Sequence, residues 1–579
     1  MVVSKAVPRN EYPRPQMVRR EWLNLNGEWD YELFLEKQAG NETIRTEFSK
    51  KIVVPFCPES ELSGINEKRF IPESWYHRKF VIPQEWKDKH VILHFGAVDY
   101  LATVWVNNKK IGMHRGGYTP FSFDITDCLV TGNNDLTLFI IDNTTSELQP
   151  TGKQSKKPES YECFYTRVTG IWQTVWLEPV EADYIKTFRV YPDYDNTSII
   201  FKPENVITSE TEGITQKVEV FANGKAVGKT SFPAKNTVYA VVKLDEKYPW
   251  EPGSPFLYDV VITLEKDGKA VDRVESYFGL RKIEISGKKV LLNGKSVFQR
   301  LVLDQGYYPD GIYTASTEAA LKQDIVLSME LGFNGARLHQ KVFEPRYLYW
   351  ADKLGYLVWG EYPSWGLDLT KYELFDSVMS EWMEAVERDF NHPSIIGWCP
   401  FNETYKTQIP ELLSMGYNLT KKLDHTRPVI DTSGYVHVLT DIYDSHNYTQ
   451  DPEKFKALFE KFKDTEEVFR NHPAADAPYL HQPYFVSEYG GIWWNPAQAT
   501  EDKKSWGYGA RPKDGDEFIE RYKKLTEVLL FHPKMFAFCY TQIYDVEQEV
   551  NGLLTYDRKP KFDKKIFRKV NTQKAAIED

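Results

Sequence analysis

Two different patterns of apolar and polar positions divide the chain. Up to about residue 282, apolar residues alternate with polar ones in short runs broken by turn residues, as half-buried strands do. Trp22-Leu23-Asn24-Leu25-Asn26-Gly27-Glu28-Trp29-Asp30-Tyr31 alternates on both sides of an Asn-Gly pair, which predicts a hairpin turn. Similar runs at 75–82, 90–95, 102–106, 135–141 and 172–177 follow, with a turn at Asn107-Asn108. Many short strands separated by turns predict a jelly-roll β-sandwich over residues 1–182. A smaller unit, 183–282, repeats the pattern around Asn223-Gly224 and Asp267-Gly268. It predicts an immunoglobulin-like sandwich, although no Cys-Trp-Cys pattern of antibody type is present.

After Asn293-Gly294 strands alternate with helices. Candidate strands fall at 297–303, 333–338, 356–359, 394–399, 428–431, 441–445, 484–488 and 536–541. Thr317 can cap a helix whose Leu321, Ile325 and Met329 share a face, and Gly332 can stop it. Pro345 opens a second helix that ends at Gly355. Two more, from Glu373 and from Glu517, halt before Pro393 and Pro533. Eight such units predict a (β/α)8 TIM barrel over 283–579. A doubly wound sheet is the alternative, but no GxGxxG follows the first strand.

Active sites of such barrels gather at the carboxyl ends of the strands. The fourth strand, in His392-Pro393-Ser394-Ile395-Ile396-Gly397-Trp398, runs on to Asn402-Glu403, and the seventh closes on Ser487-Glu488-Tyr489-Gly490-Gly491. Two glutamates on facing strand ends suit glycoside hydrolysis, in which one carboxyl group gives a proton and another stays ionised. Trp398 and Phe401 beside Glu403 are expected to raise its pKa by desolvation. Taken alone, a strand-end glutamate in a chain with 83 acidic residues is more often half of a salt bridge. Asp304, Arg337, His339, His446, Tyr448 and Trp493 fall at or just after other strand ends and are candidate substrate contacts. His392 precedes its strand and reads as structural. No HExxH, P-loop or G-x-S-x-G motif occurs, and no ligand cluster has the spacing of a metal site, so no metal or cofactor is expected.

Composition adds limits. The net charge of −11 with no long basic run argues against nucleic acid and anionic membrane as partners. Aromatic residues make up 15% of the chain, which suits platforms for the apolar faces of sugars, though most will be core. Five scattered cysteines without CxxC spacing read as buried thiols of a reducing compartment. The opening Met1-Val2-Val3-Ser4-Lys5 stretch lacks an apolar signal region, so a soluble, cytoplasmic protein is expected.

These residues together resemble glycoside hydrolase family 2, the β-galactosidase, β-glucuronidase and β-mannosidase family. Trp22 to Trp29 is similar to the family's opening, Phe278-Gly279-Leu280-Arg281 to its entry into the barrel, and Tyr556-Asp557-Arg558-Lys559-Pro560-Lys561 to its closing signature. Asn402-Glu403 resembles the acid/base motif and Ser487 to Gly491 the nucleophile motif. The resemblance implies that Glu403 is the general acid/base, Glu488 the nucleophile and Asn402 the donor to the sugar 2-OH, in hydrolysis of terminal non-reducing β-linked sugars with retention. It places His446 and Tyr448 in the sugar subsite and makes a homo-oligomer plausible.

Glucuronidases of the family carry Asn-x-Lys where this chain has Glu549-Val550-Asn551. A carboxylate there should repel a uronic acid, so the expected substrate is a neutral sugar, a β-galactoside first. Arg337-Leu338-His339 shortens the family's usual Arg-to-His spacing, and Val302-Leu303-Asp304-Gln305 lacks its usual His. β-Galactofuranosides and α-arabinofuranosides therefore stay open as substrates, as do β-glucuronides, whose carboxylate Arg337 could still pair with, and a non-catalytic carbohydrate-binding role.

Overall fold

A computed structural model describes residues 7–38, 43–208, 213–495 and 505–578. The first unit packs a six-stranded antiparallel sheet against a four-stranded one. Leu25, Trp29, Tyr76, Leu93, Val104, Leu138 and Val175, drawn from both sheets, share one apolar core. Asn26-Gly27 does not close a hairpin, contrary to the sequence pattern: Leu23–Asn24 pairs in the smaller sheet and Gly27–Phe34 in the larger. Buried Asn26 donates to Thr174 Oγ1 (3.1 Å) and accepts from Val175 N (3.2 Å), so its amide pins the crossing between sheets rather than shaping a turn. At Asn107-Asn108 the reading holds; both residues have positive φ (49° and 64°) between Leu101–Val106 and Lys109–Arg115.

The second unit sets a three-stranded sheet against a four-stranded one around its own core. Ile214–Ala222 shows why: every second residue is buried, and the strand ends at Asn223-Gly224 with φ of 50° and 78°.

Beyond it lies the barrel domain, a curled parallel sheet of seven strands. In spatial order they are Ile395–Cys399, Leu357–Glu361, Gly335–Leu338, Gln299–Asp304, Met535–Thr541, Tyr484–Gly490 and Tyr443–Asn447. The fifth strand expected at 428–431 does not form as a ladder. Trp398 N bonds to Pro428 O (3.1 Å), Ile430 N to Trp398 O (2.9 Å) and Asp441 N to Val429 O (2.9 Å), and Phe401–Asn402 then pairs with Thr432–Ser433. Pro428 has no N–H to give, so this side of the barrel closes through single bridges. The four expected helices form as Glu318–Glu330, where Thr317 accepts from Ala320 N, Pro345–Leu354, stopped by left-handed Gly355, Leu374–Asp389, and Gly515–Leu530, and the described residues add Pro410–Leu423, Pro452–Asp464 and Lys564–Asn571. Cys57, Cys399 and Cys539 are buried thiols, whereas Cys128 and Cys163 are half-buried. Among the described residues no helix is long and apolar enough to cross a membrane.

Candidate active site

Parallel strands deliver their last residues to one rim, and the rim here is crowded with charge. Asn402 ends the short strand Phe401–Asn402, and Glu403 follows with φ +49°, its N–H donating to Ser433 O (2.9 Å). A left-handed glutamate costs on the order of 1–3 kcal/mol. That turn points its carboxylate inward, where one oxygen lies 2.7 Å from His446 Nδ1. Trp398 and Phe401, the aromatic neighbours of Glu403 in sequence, make their contacts elsewhere. Trp398 donates to Asp424 (2.8 Å) and stands against Trp382, and Phe401 lies against Gly416, so both face the helix layer.

Glu488, near the end of Tyr484–Gly490, is buried across the mouth. One oxygen of Glu403, one of Glu488 and a nitrogen of His446 all lie within 4.8 Å of one another. Carboxyl groups stand about 5–5.5 Å apart in retaining glycosidases and about 6.5–9.5 Å apart in inverting ones; an oxygen pair within 4.8 Å sits nearer the first figure than the second. Among the described residues the same trio is also the one cluster with spacing suited to a metal ion.

Glu488 is strongly held. Arg337 Nη1 donates to its Oε1 (3.1 Å), Tyr448 OH donates to its Oε2, and His446 Nδ1 is 3.5 Å from Oε2. Burial pushes its pKa up, but His446, His339, Arg337 and Lys153 together outweigh burial and hold it well below the usual carboxylate range. Burial also lowers the pKa of His339, so that ring loses its share of the pull as it turns neutral. Burial would lower His446 too; there Glu488 and Glu403 prevail, and its pKa is raised. His446 thus lies between two carboxylates that favour its protonated form, with Nε2 on Ser433 Oγ (3.1 Å).

Arg337 is the hub. Its other nitrogen donates to Glu361 Oε2 (2.6 Å) and Asn402 Oδ1 (3.1 Å), and Nη1 also reaches Ser487 O (2.8 Å). Glu361, the last residue of Leu357–Glu361, is fully buried. Burial raises its pKa, and Arg337 with His339 pulls it down to about 2. His339 Nδ1 stands 2.9 Å from Glu361 Oε1 but makes no well-directed hydrogen bond there. Gln340 N and Nε2 take that oxygen instead, at 3.0 and 3.1 Å. Asn402 Oδ1 is thus occupied, while its buried Nδ2 has no partner among the described residues. The Tyr448 ring stacks on Tyr508 at 3.4 Å.

The remaining candidates are placed differently. Asp304 is spent inside the fold: Tyr544 OH and Gly306 N (2.9 Å) donate to one oxygen and Tyr347 OH (3.0 Å) to the other. Burial, then Asp324, raises its pKa. Trp493 donates to Ser505 Oγ (3.3 Å) under the Arg511 guanidinium. Buried Glu549 accepts from Tyr165 OH and Asn551 Nδ2 (2.8 Å), and burial raises its pKa against the pull of Lys153. His392 pairs with Asp352 away from the rim, as a structural residue should.

Sequence reasoning missed Glu361, whose signal was present: it is the polar residue closing the third strand in Leu357-Val358-Trp359-Gly360-Glu361. It also missed Lys153 and Tyr165, which come from the first unit and carry no barrel signal.

Comparison with known proteins adds to this geometry. Residues 23–178 match the model of the sugar-binding domain of glycosyl hydrolases family 2, residues 184–281 that family's central model, and residues 283–575 its TIM barrel domain. A β-galactosidase of Thermoanaerobacter pseudethanolicus is 27% identical over 504 residues, covering 82% of this chain and 61% of that protein. A β-glucuronidase of Streptococcus agalactiae is 25% identical over 419 residues, covering 66% and 67%. The chain therefore spans about three fifths of the length of the first of these relatives. In fold it is similar to the β-glucuronidase of Ruminococcus gnavus in complex with an N1-substituted uronic isofagomine. The TM-score is 0.79 at 21% identity, covering 97% of this chain and 99% of that one.

Proposed function

The chain belongs to glycosyl hydrolase family 2, and from that premise we propose that it is a retaining exo-glycosidase of terminal, non-reducing β-linked neutral sugars, β-galactosides first. The observation that carries the reading is the spacing of Glu403 and Glu488 around His446. In the first step Glu488, held ionised, attacks the anomeric carbon while Glu403 protonates the departing glycosidic oxygen. The C–O bond breaks and a glycosyl-enzyme ester forms. In the second, Glu403 takes a proton from water, the water oxygen attacks the same carbon, and Glu488 leaves as the carboxylate. The unpartnered Nδ2 of Asn402 is the donor for the 2-OH.

The neutral sugar is argued from charge. Glu403, Glu488 and Glu549 already face the mouth, and a uronate would add a carboxylate beside them. The β-galactosidase relative is consistent with this choice, while the glucuronidase relatives set the competing arm of the test. We read residues 1–182 as a jelly roll, 183–282 as an immunoglobulin-like sandwich and 283–579 as the catalytic barrel.

Initial rates on p-nitrophenyl β-galactopyranoside, β-glucuronide, β-mannoside, β-galactofuranoside and α-arabinofuranoside test the proposal, each repeated with Glu488→Ala. One preferred neutral sugar, with turnover lost in the variant, is the expected result. Faster hydrolysis of the glucuronide overturns the neutral-sugar reading. Silence on every substrate favours a carbohydrate-binding protein without catalysis.

A further inference from the structure

Lys153 sits in the loop that leaves the first sandwich after the strand Asn133–Ile141. The loop is pressed onto the barrel rim: Thr151 N and Gly152 N both donate to Trp365 O, at 2.9 and 3.1 Å. Gly152 has φ +53°, and a Cβ there would meet Gln340 O at 2.2 Å, so only glycine allows the approach. The next residue, Lys153, lies with Nζ 3.9 Å above the Trp365 ring and is 6% exposed. Tyr165 N donates to Lys153 O (2.7 Å), and the Tyr165 hydroxyl ends on Glu549. One short pairing thus brings a lysine and a tyrosine of the first domain into the mouth of another.

The ammonium is short of acceptors. Among the described residues it makes no hydrogen bond, and no carboxylate lies within 4.0 Å of it. Other deeply placed lysines differ. Lys341 donates to Gly306 O (2.6 Å) and Tyr313 O (2.9 Å), and Lys561 to Asp545 Oδ1 (2.6 Å). Burial lowers the pKa of Lys153, but the field of Cys163, Glu549, Glu488 and Glu403 raises it, so the group is charged. A buried ammonium that has only a ring face and no hydrogen-bond acceptor is costly. Its three donors point to a ligand that supplies acceptors.

We propose that Lys153 is a sugar-binding residue lent to the barrel by the N-terminal sandwich, donating to a glycone hydroxyl that in turn donates to Glu549. The proposal rests on the neutral-glycone reading above. Each oxygen of Glu549 accepts one protein bond and keeps lone pairs to spare. A hydroxyl both accepts and donates, so it satisfies the lysine and the glutamate together and adds no charge.

The test uses the full-length wild type, Lys153→Met and Lys153→Arg with the preferred p-nitrophenyl glycoside and its monodeoxy series. Lys153→Met is expected to lose on the order of ten- to a hundredfold in kcat/KM, the size of one charge-assisted hydrogen bond, and Lys153→Arg to recover part of it. One deoxy substrate that is slow with wild type should show no further loss in Lys153→Met, as two changes to one contact do. Losses that add at every deoxy position overturn the role of Lys153 and leave the neutral-glycone reading standing. A wild-type preference for the glucuronide, lost selectively in Lys153→Met, overturns both and makes the lysine a carboxylate reader.

Discussion

Glu488 is moved away from the ordinary pKa of a glutamate by its neighbours. Burial alone would leave Glu488 neutral too readily for a nucleophile. His446, first among the cations, reverses that, with His339, Arg337 and Lys153 behind it. The sign for stability follows. A depressed carboxyl contributes stability above its unfolded pKa of about 4.3 and loses it as pH falls through the folded value. His446, raised, contributes fully below about 6.5 and loses its part as pH rises through its folded pKa. His446→Asn removes the leading cation, so the acidic limb of the kcat/KM profile should move to higher pH. A limb that stays put would mean another group sets it. Glu403, Glu488, Asn402, Arg337, His446 and Tyr448 could be singled out from sequence because each lies at or just after a barrel strand's carboxyl end, and the structure gathers them. Asp304 obeys the same rule yet is consumed by Tyr347, Tyr544 and Gly306, since a strand end tells where a side chain starts and not which partners reach it.

At the scale of elements, the site depends on how the weakest side of the barrel closes. The chain at 428–433 makes single bridges to the fourth strand, and its end holds Glu403, the proposed acid/base. Ser433 O anchors Glu403 N, Ser433 Oγ touches His446 Nε2 at 3.1 Å, and Gly434 N donates to Asp444 Oδ2 at 3.1 Å. Gly434 has φ +92°, and a Cβ there would stand 2.8 Å from the His446 ring. Gly434→Ala must move the ring or the turn. It should cost at least about tenfold in kcat/KM, since a shift of about 1 Å can cost a hundredfold, and about 1–3 kcal/mol of stability. Paired kinetics and thermal melts check this, and unchanged kcat/KM would separate the turn from the site. The other strands were legible from β-branched runs bounded by glycine and proline. The fifth was expected at 428–431 but forms no ladder, because closure there rests on a few backbone bonds around Pro428. Asn26-Gly27 misled for the opposite reason: a strong hairpin dipeptide was claimed by buried long-range partners, and tertiary contacts overrode local turn chemistry.

Taken whole, the candidate site draws side chains from two domains, Lys153 and Tyr165 reaching the barrel rim from the first, and that is where sequence reading ran out. The order of modules shows in the change from period-two strands to strand-helix alternation. The lending of Lys153 does not, because Thr151-Gly152-Lys153-Gln154-Ser155-Lys156-Lys157 reads as a solvated polar loop. It becomes an interior segment only when the barrel rim is present to cover it, and the contact that decides this is Gly152 against Gln340 O. Gln340 also has positive φ (52°) and bonds Glu361 through N and Nε2, while Glu361 holds Arg337, which holds Glu488. A run of direct contacts thus leads from the domain seam through Gln340, Glu361 and Arg337 to Glu488, the proposed nucleophile. Gly152→Ala should push the loop outward, so that kcat/KM falls by roughly tenfold or more although no group that touches substrate has been changed. If the seam merely ties the domains together, the variant should melt earlier with kcat/KM intact. If it carries the site, catalysis should fall with Lys153→Met adding little further loss, because the lysine has already been withdrawn from the mouth.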